Sequence, residues 1–215
     1  MKPKLKTSEG ILLRVKKGNE GGRRVSLFSR EEGLMRLSVP RAVLQRCGAG
    51  VIVPFARLRF TASCLEETGV LCQYEGQLLF DATGLSYEEL FYWSYLIELA
   101  EKLLPPGQPD GQVWYTLLSA GTAAGFRNRR VTAFAASVQL LAAAGLDPAA
   151  EEAAAALSLP EEGRKLLRAF RDYRWNESFA ERIPAAVFSE AAQYLDRFIE
   201  RYGDIRMVTK GAFGR

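Results

Sequence analysis

Three consecutive pieces decide the fold of the first third of the chain: Arg24-Val25-Ser26-Leu27-Phe28-Ser29, Arg30-Glu31-Glu32-Gly33, and Leu34-Met35-Arg36-Leu37-Ser38-Val39. The first and last alternate polar with apolar residues, the period-2 mark of a half-buried strand. Glu32-Gly33 supplies the turn between them, and Pro40 stops the second strand. Before these pieces, Ile11 to Lys16 is a short β-type run, set apart by the glycine-rich turn Gly18 to Gly22. Arg41 to Gly50 reads as a connector with a brief helix. Val51 to Thr61 reads as a fourth strand, with Arg57 and Arg59 on one side and Leu58 and Phe60 on the other. Val70 to Tyr74 and Gln77 to Phe80 form a fifth, interrupted at Gly76.

Five short strands with glycine turns in 80 residues fit a small closed barrel. The OB fold is the commonest five-stranded barrel of this size, and an SH3-like barrel fits the pattern nearly as well. After Asp81 the period changes to that of helices. Ser86 is an N-cap candidate, with Glu88 and Glu89 in the first turn; Asp110 is another cap candidate. Further helices run from about Arg127 to Ala144, from Pro148 to Leu157, from Pro160 through Phe170, and from Pro184 to Gly203. The expected architecture is α+β and multidomain: an N-terminal five-stranded OB-fold β-barrel over residues 1–80, followed by an all-α helical domain over residues 81–215.

Composition narrows the chemistry. The chain has 215 residues, is 48% hydrophobic and 25% charged, and contains no histidine. That removes Ser-His-Asp and Cys-His catalysis and histidine-ligated zinc. Cys47, Cys64 and Cys72 lack the spacing of a zinc knuckle or redox pair, and read as reduced, buried small hydrophobes. Gly18 to Gly22 lacks the phosphate-loop lysine-serine end. No enzyme, metal or cofactor is expected. The start, Met1 to Lys6, is basic, but no apolar stretch of signal-peptide length follows. A cytoplasmic protein away from membranes is expected.

The charge is unevenly spread. Residues 1–80 hold fourteen Lys/Arg against seven Asp/Glu, a net +7, whereas residues 81–215 are net −3. Arg14, Lys16, Lys17, Arg23, Arg24, Arg30, Arg36, Arg41, Arg46, Arg57 and Arg59 lie in or beside the strand segments. Alternate side chains of a strand share a face, so these cations are expected to converge on one outer wall and meet a polyanion. The aromatic stripe Trp93, Tyr95, Trp114 and Tyr115 reads as helix core.

The order of these pieces resembles the bacterial recombination mediator RecO family. The resemblance rests on Glu9 to Leu13 with Arg24 to Gly33, on the Tyr- and Leu-rich helix Leu90 to Glu101 ending before Leu104-Pro105-Pro106, on Leu140 to Pro148, and on the tail from Tyr194 to Phe213. Family members commonly carry a four-cysteine zinc segment after the third of these stretches. Here residues 148–160 hold no cysteine, so the chain looks like a diverged member without zinc. The connector after Pro40 is also shorter and less basic than the family's.

The resemblance implies binding of single- and double-stranded DNA, strand annealing, and recombination mediation with the RecR ring. Phe28 and Phe55 would be the barrel's stacking candidates if exposed. In the helical part, Arg127, Arg129 and Arg130 with Phe134 and Val138 would form a cation-rimmed apolar groove for the acidic C-terminal tail of single-strand-binding protein. Otherwise these arginines sit in a solvated loop or pair with Glu98 and Glu101. The alternative function is an interaction scaffold that has lost DNA binding and holds a protein partner.

Overall fold

A computed structural model describes residues 2–66, 68–82, 84–177 and 182–214. In chain order the elements are β1 (Lys4–Lys17), β2 (Arg23–Ser29), β3 (Gly33–Val39), α1 (Arg41–Cys47), β4 (Ala56–Leu65), β5 (Thr68–Leu78), α2 (Tyr87–Leu103), α3 (Gly111–Ala123), α4 (Arg129–Ala143), α5 (Glu151–Ala156), α6 (Glu161–Arg171) and α7 (Ala185–Tyr202). They divide into two compact units. One holds residues 1–81 with 104–125; the other holds 82–103 with 126–215.

In the first unit the sheet closes on itself in the order β1-β2-β3-β5-β4. The long strand β1 makes closure possible. Its first half, Lys4 to Ile11, pairs with β4, and its second half, Gly10 to Lys17, pairs with β2. A register shift between Leu12 and Arg14 bends it between the two partners. The strand thus begins seven residues before Ile11, because Leu5 and Thr7 face solvent and break the apolar alternation that periodicity reads.

Leu12, Leu27, Met35, Leu37, Leu58 and Phe60 fill the interior, and Val43 and Leu44 of α1 join the same cluster. β4 begins at Ala56, five residues later than the apolar run from Val51 suggests. Pro54 lacks the N–H a ladder needs, and Phe55 has φ 59°. Ile52 instead joins the barrel core. Conversely, β5 runs unbroken through Gly76, where a Cβ would lie 2.4 Å from Leu58 Cδ2. That glycine makes room beside its cross-strand neighbour Leu58 and does not end the strand.

The outer wall carries its own apolar row. Ile11 lies opposite Phe28, and Phe28 opposite Leu34, and all three are buried. Residues 104–125 belong to this unit although periodicity groups α3 with the other helices. Gly107 N–H donates to the Leu34 carbonyl. Gly33 has φ +68°, and any Cβ there would collide with the Gln108 backbone. Asp110 caps α3 by accepting from the Gln112 and Val113 amides, as expected.

The second unit is built around α4, which is buried without interruption from Thr132 to Leu141. Its polar Gln139 is spent fully: the side chain donates to the Phe170 and Tyr173 carbonyls and accepts from the Trp175 indole. Asn128 accepts from the Val131 amide, so the helix starts at Arg129 rather than Arg127. Ser86 and Glu89 form a reciprocal capping box at the start of α2. Trp93, Tyr95 and Trp114 are core as expected, whereas Tyr115 is 45% exposed. Of the cysteines only Cys64 is buried; Cys47, at the end of α1, and Cys72, within β5, are half-buried.

No helix among the described residues is long and apolar enough to cross a membrane. No cluster of Cys, Asp or Glu among them is suited to a metal ion.

Candidate nucleic-acid interface

The barrel cations fall into distinct groups, not onto one wall. The first lies on the outer face of β1, β2 and β3. Lys16 stands opposite Arg24, and Arg24 opposite Ser38; Arg14 stands opposite Ser26, and Ser26 opposite Arg36. Directly opposite residues of an antiparallel pair point to the same face, so Arg14, Lys16, Arg24 and Arg36 share one surface with two serines between them. Lys17 and Arg23 pair at the hairpin end on the opposite face, the one that carries Val25 and Val39, and the Arg41 side chain lies beside Gly21 of that hairpin.

Like charges placed directly across a ladder repel by several tenths of a kcal/mol each. Here one such pair, Lys16 with Arg24, stands on the outer face beside Arg14 and Arg36, and a second, Lys17 with Arg23, stands on the opposite face at the hairpin end. Among the described residues, Lys16, Lys17, Arg24 and Arg36 have no carboxylate at ion-pair distance. A surface of this kind gains from an external anion what it lacks internally.

The second group, on β4, is already neutralised. Arg57 pairs with Glu9 at 2.8 Å, and Arg59 lies 3.9 Å from Glu9 and 3.7 Å from Glu75. The cause is register: Glu9 of β1 and Glu75 of β5 both stand opposite Arg59. Arg57 faces Ile11, three residues along β1 from Arg14, a separation of roughly 10 Å. The remaining cations lie apart. Arg46 on α1 donates to the Cys72 carbonyl, and Arg30 occupies the turn after β2, at the end opposite Arg23.

Sequence reasoning missed two features here. Glu9 and Glu75 are the acids that quench the β4 arginines, a pairing visible only once β1 and β5 are known to flank β4. Beside them lies a cleft of about 490 Å³ lined by Thr7, Arg46, Arg59, Thr61, Gln73 and Glu75 among others. Its hydroxyls already satisfy one another, Thr7 with Thr61 at 3.1 Å.

The aromatic candidates are not stacking platforms. Phe28 and Phe55 are 0% and 2% exposed, and Phe55 packs on Phe80. Phe28 stands on the outer wall, yet inside its buried apolar row.

The helical group also departs from an open groove. Phe134 and Val138 are fully buried. Arg129 pairs with Glu89 at 3.1 Å. Hydrogen bonding from Ser86, together with Arg129, holds the Glu89 carboxyl below its usual range. Arg127 donates to the Trp175 carbonyl and lies 5.6 Å from the Tyr173 ring. Arg130 donates to the Phe213 carbonyl and lies over Phe188 at 4.7 Å. The Phe213 ring fills the space beside Phe134, at 5.1 Å.

The tail that carries Phe213 is anchored by two buried carboxylates. Glu98 accepts from the Val208 and Thr209 amides and the Thr209 hydroxyl, and pairs with Lys102 at 2.6 Å. Burial pushes its carboxyl up, but the bonds from Lys102, Val208 and Thr209 outweigh burial and hold it at about 2. Asp196 accepts from the Gly211 amide and the Tyr95 hydroxyl, and burial raises its carboxyl above the ordinary range.

No family model matches the chain. Over 118 residues it is 33% identical to the DNA repair protein RecO of Pelotomaculum thermopropionicum, a stretch covering 54% of this chain and 45% of that relative. The similarity therefore spans less than half the length of the curated relative.

Proposed function

We propose that this chain is a RecO-like DNA-binding protein of recombinational repair, and a binding protein, not an enzyme. The observation that carries the reading is the unneutralised group of Lys16, Arg24 and Arg36 on the outer face of β1, β2 and β3, which Arg14 shares. The cyclic strand order, with a helix between β3 and β4, is the arrangement expected of an OB fold, whose second and third strands commonly face a nucleic acid. Similarity to a protein named for DNA repair supports the same reading.

Phosphate neutralisation by these side chains, with release of condensed counterions, is the driving force. Base stacking contributes little, since Phe28 and Phe55 are buried. Single- and double-stranded DNA both offer the required phosphates, and annealing follows from holding two strands near one cationic face. RecR and the acidic tail of single-strand-binding protein are the protein partners of this reading, the latter at Arg130 and Phe134.

Fluorescence anisotropy of labelled single- and double-stranded oligonucleotides at roughly 50 and 200 mM salt tests the proposal, with affinity expected to fall steeply between them. Absence of binding at both concentrations would overturn it.

A further inference from the structure

The slot around Arg130 already has an occupant. After α7 the chain returns over α2 and α7, anchored by Glu98 at Val208 and Thr209 and by Asp196 at Gly211. These anchors deliver Phe213, 2% exposed, between Tyr92 at 5.6 Å, Tyr95 at 4.9 Å and Phe134 at 5.1 Å. The Phe213 carbonyl accepts from Arg130 Nη2. Arg130 Nε, on the same side of the guanidinium fork, is buried and has no hydrogen-bond partner.

This recognition is incomplete in a specific way. Nε and Nη2 of an arginine together match the two oxygens of a carboxylate. Phe213 precedes Gly214, so it offers a single amide oxygen and leaves Nε empty. An aromatic residue bearing a free carboxylate would fill the same aromatic space and satisfy both nitrogens. The internal segment holds the slot through proximity, its anchors being part of the same chain.

We propose that Phe213 is an intramolecular occupant that keeps this slot shut, and that an acidic peptide ending in an aromatic residue with a free carboxylate opens it by displacing Phe213. The proposal rests on the reading of Arg130 and Phe134 as a partner site.

The test uses the full chain and a fluorescein-labelled nine-residue peptide, four aspartates followed by apolar residues and a C-terminal phenylalanine, with its amide-capped form as control. Phe213→Ala is expected to bind the free-carboxylate peptide at least tenfold more tightly than the unaltered chain. The capped peptide should bind that variant at least tenfold more weakly, a difference that loosened packing alone would not produce. Glu98→Gln, which weakens the anchor and retains Phe213, should show a several-fold gain, and it decides the question if Phe213→Ala does not fold. Equal affinity of the unaltered chain and the variants overturns the occupancy and leaves the partner site standing. No binding to any of the three overturns both.

Discussion

The two cationic walls of the barrel have similar residues and opposite electrostatic outcomes. On β4, Arg57 and Arg59 meet Glu9 and Glu75 from the flanking strands, and the charge is consumed internally. On the outer face of β1, β2 and β3, Arg14, Lys16 and Arg24 have serines or other cations as cross-strand neighbours, and Arg36 stands between Ser26 and Thr68. Counting basic residues cannot separate these cases; strand register does. A surface ion pair contributes about 0–1 kcal/mol. A row of like charges set side by side costs a comparable amount and is repaid only when a polyanion arrives.

The largest expected effect comes from stripping the wall on β1, β2 and β3. Lys16→Ala, Arg24→Ala and Arg36→Ala together should weaken oligonucleotide binding roughly 100-fold or more at low salt, because three phosphates are then left without a cation. An unchanged melting temperature would show that binding and not folding was altered. A weakening of only two- or threefold would break the distinction between the walls.

Next in size is an acid-sensitive contribution to stability in the helical unit. Glu98 is held at about 2 in the folded chain, below its ordinary value of 4.5. A depressed folded value stabilises above the unfolded value and is lost as pH falls toward the folded one, here between about 4.5 and 2. Glu98→Gln should therefore cost on the order of 3 kcal/mol at pH 7. The gap to the unaltered chain should close as thermal melts are repeated toward pH 2. Asp196 acts with the opposite sign: its raised value means that protonation favours the fold, so Asp196→Asn should be tolerated better at pH 7 than Glu98→Gln. A gap for Glu98→Gln that is independent of pH would contradict the anchoring described for the tail.

Glu9→Gln with Glu75→Gln should free Arg57 and Arg59 and strengthen DNA binding a few-fold, as seen in parallel titrations. Smallest of all, Arg57→Ala should change DNA affinity less than twofold and cost at most about 1 kcal/mol in a denaturant melt, since its partner is a half-buried surface acid.

Local features of the fold are legible in the chain itself. The alternation of Arg24 to Ser29 and Leu34 to Val39 predicts β2 and β3, and Ser86 and Asp110 cap helices as their residue types lead one to expect. What periodicity does not reach depends on neighbours distant in sequence. The polar first half of β1 is a strand because β4 pairs with it, and residues 104–125 join the barrel unit through neighbours such as Leu34 and Gly33. The apolar run Val51 to Val53 has strand composition and serves to close the core instead.

The candidate site follows the same division. That the first third is cationic is plain from composition, as is the identity of its arginines. Which of them are neutralised depends on Glu9 and Glu75 falling opposite Arg59, a fact of register. Likewise Phe134 and Arg130 stand out in the sequence as a candidate site, but that Phe213 sits in it depends on the tail returning across α2.

Salt titration of two variants side by side shows which wall meets the polyanion: Lys16→Ala with Arg24→Ala and Arg36→Ala, against Arg57→Ala with Arg59→Ala. For duplex DNA, the slope of log affinity against log salt should lose roughly 2 to 3 in magnitude in the first and remain near that of the unaltered chain in the second. Equal slopes for the two variants, or a larger loss in the second, would contradict the assignment of the polyanion to the β1, β2 and β3 wall.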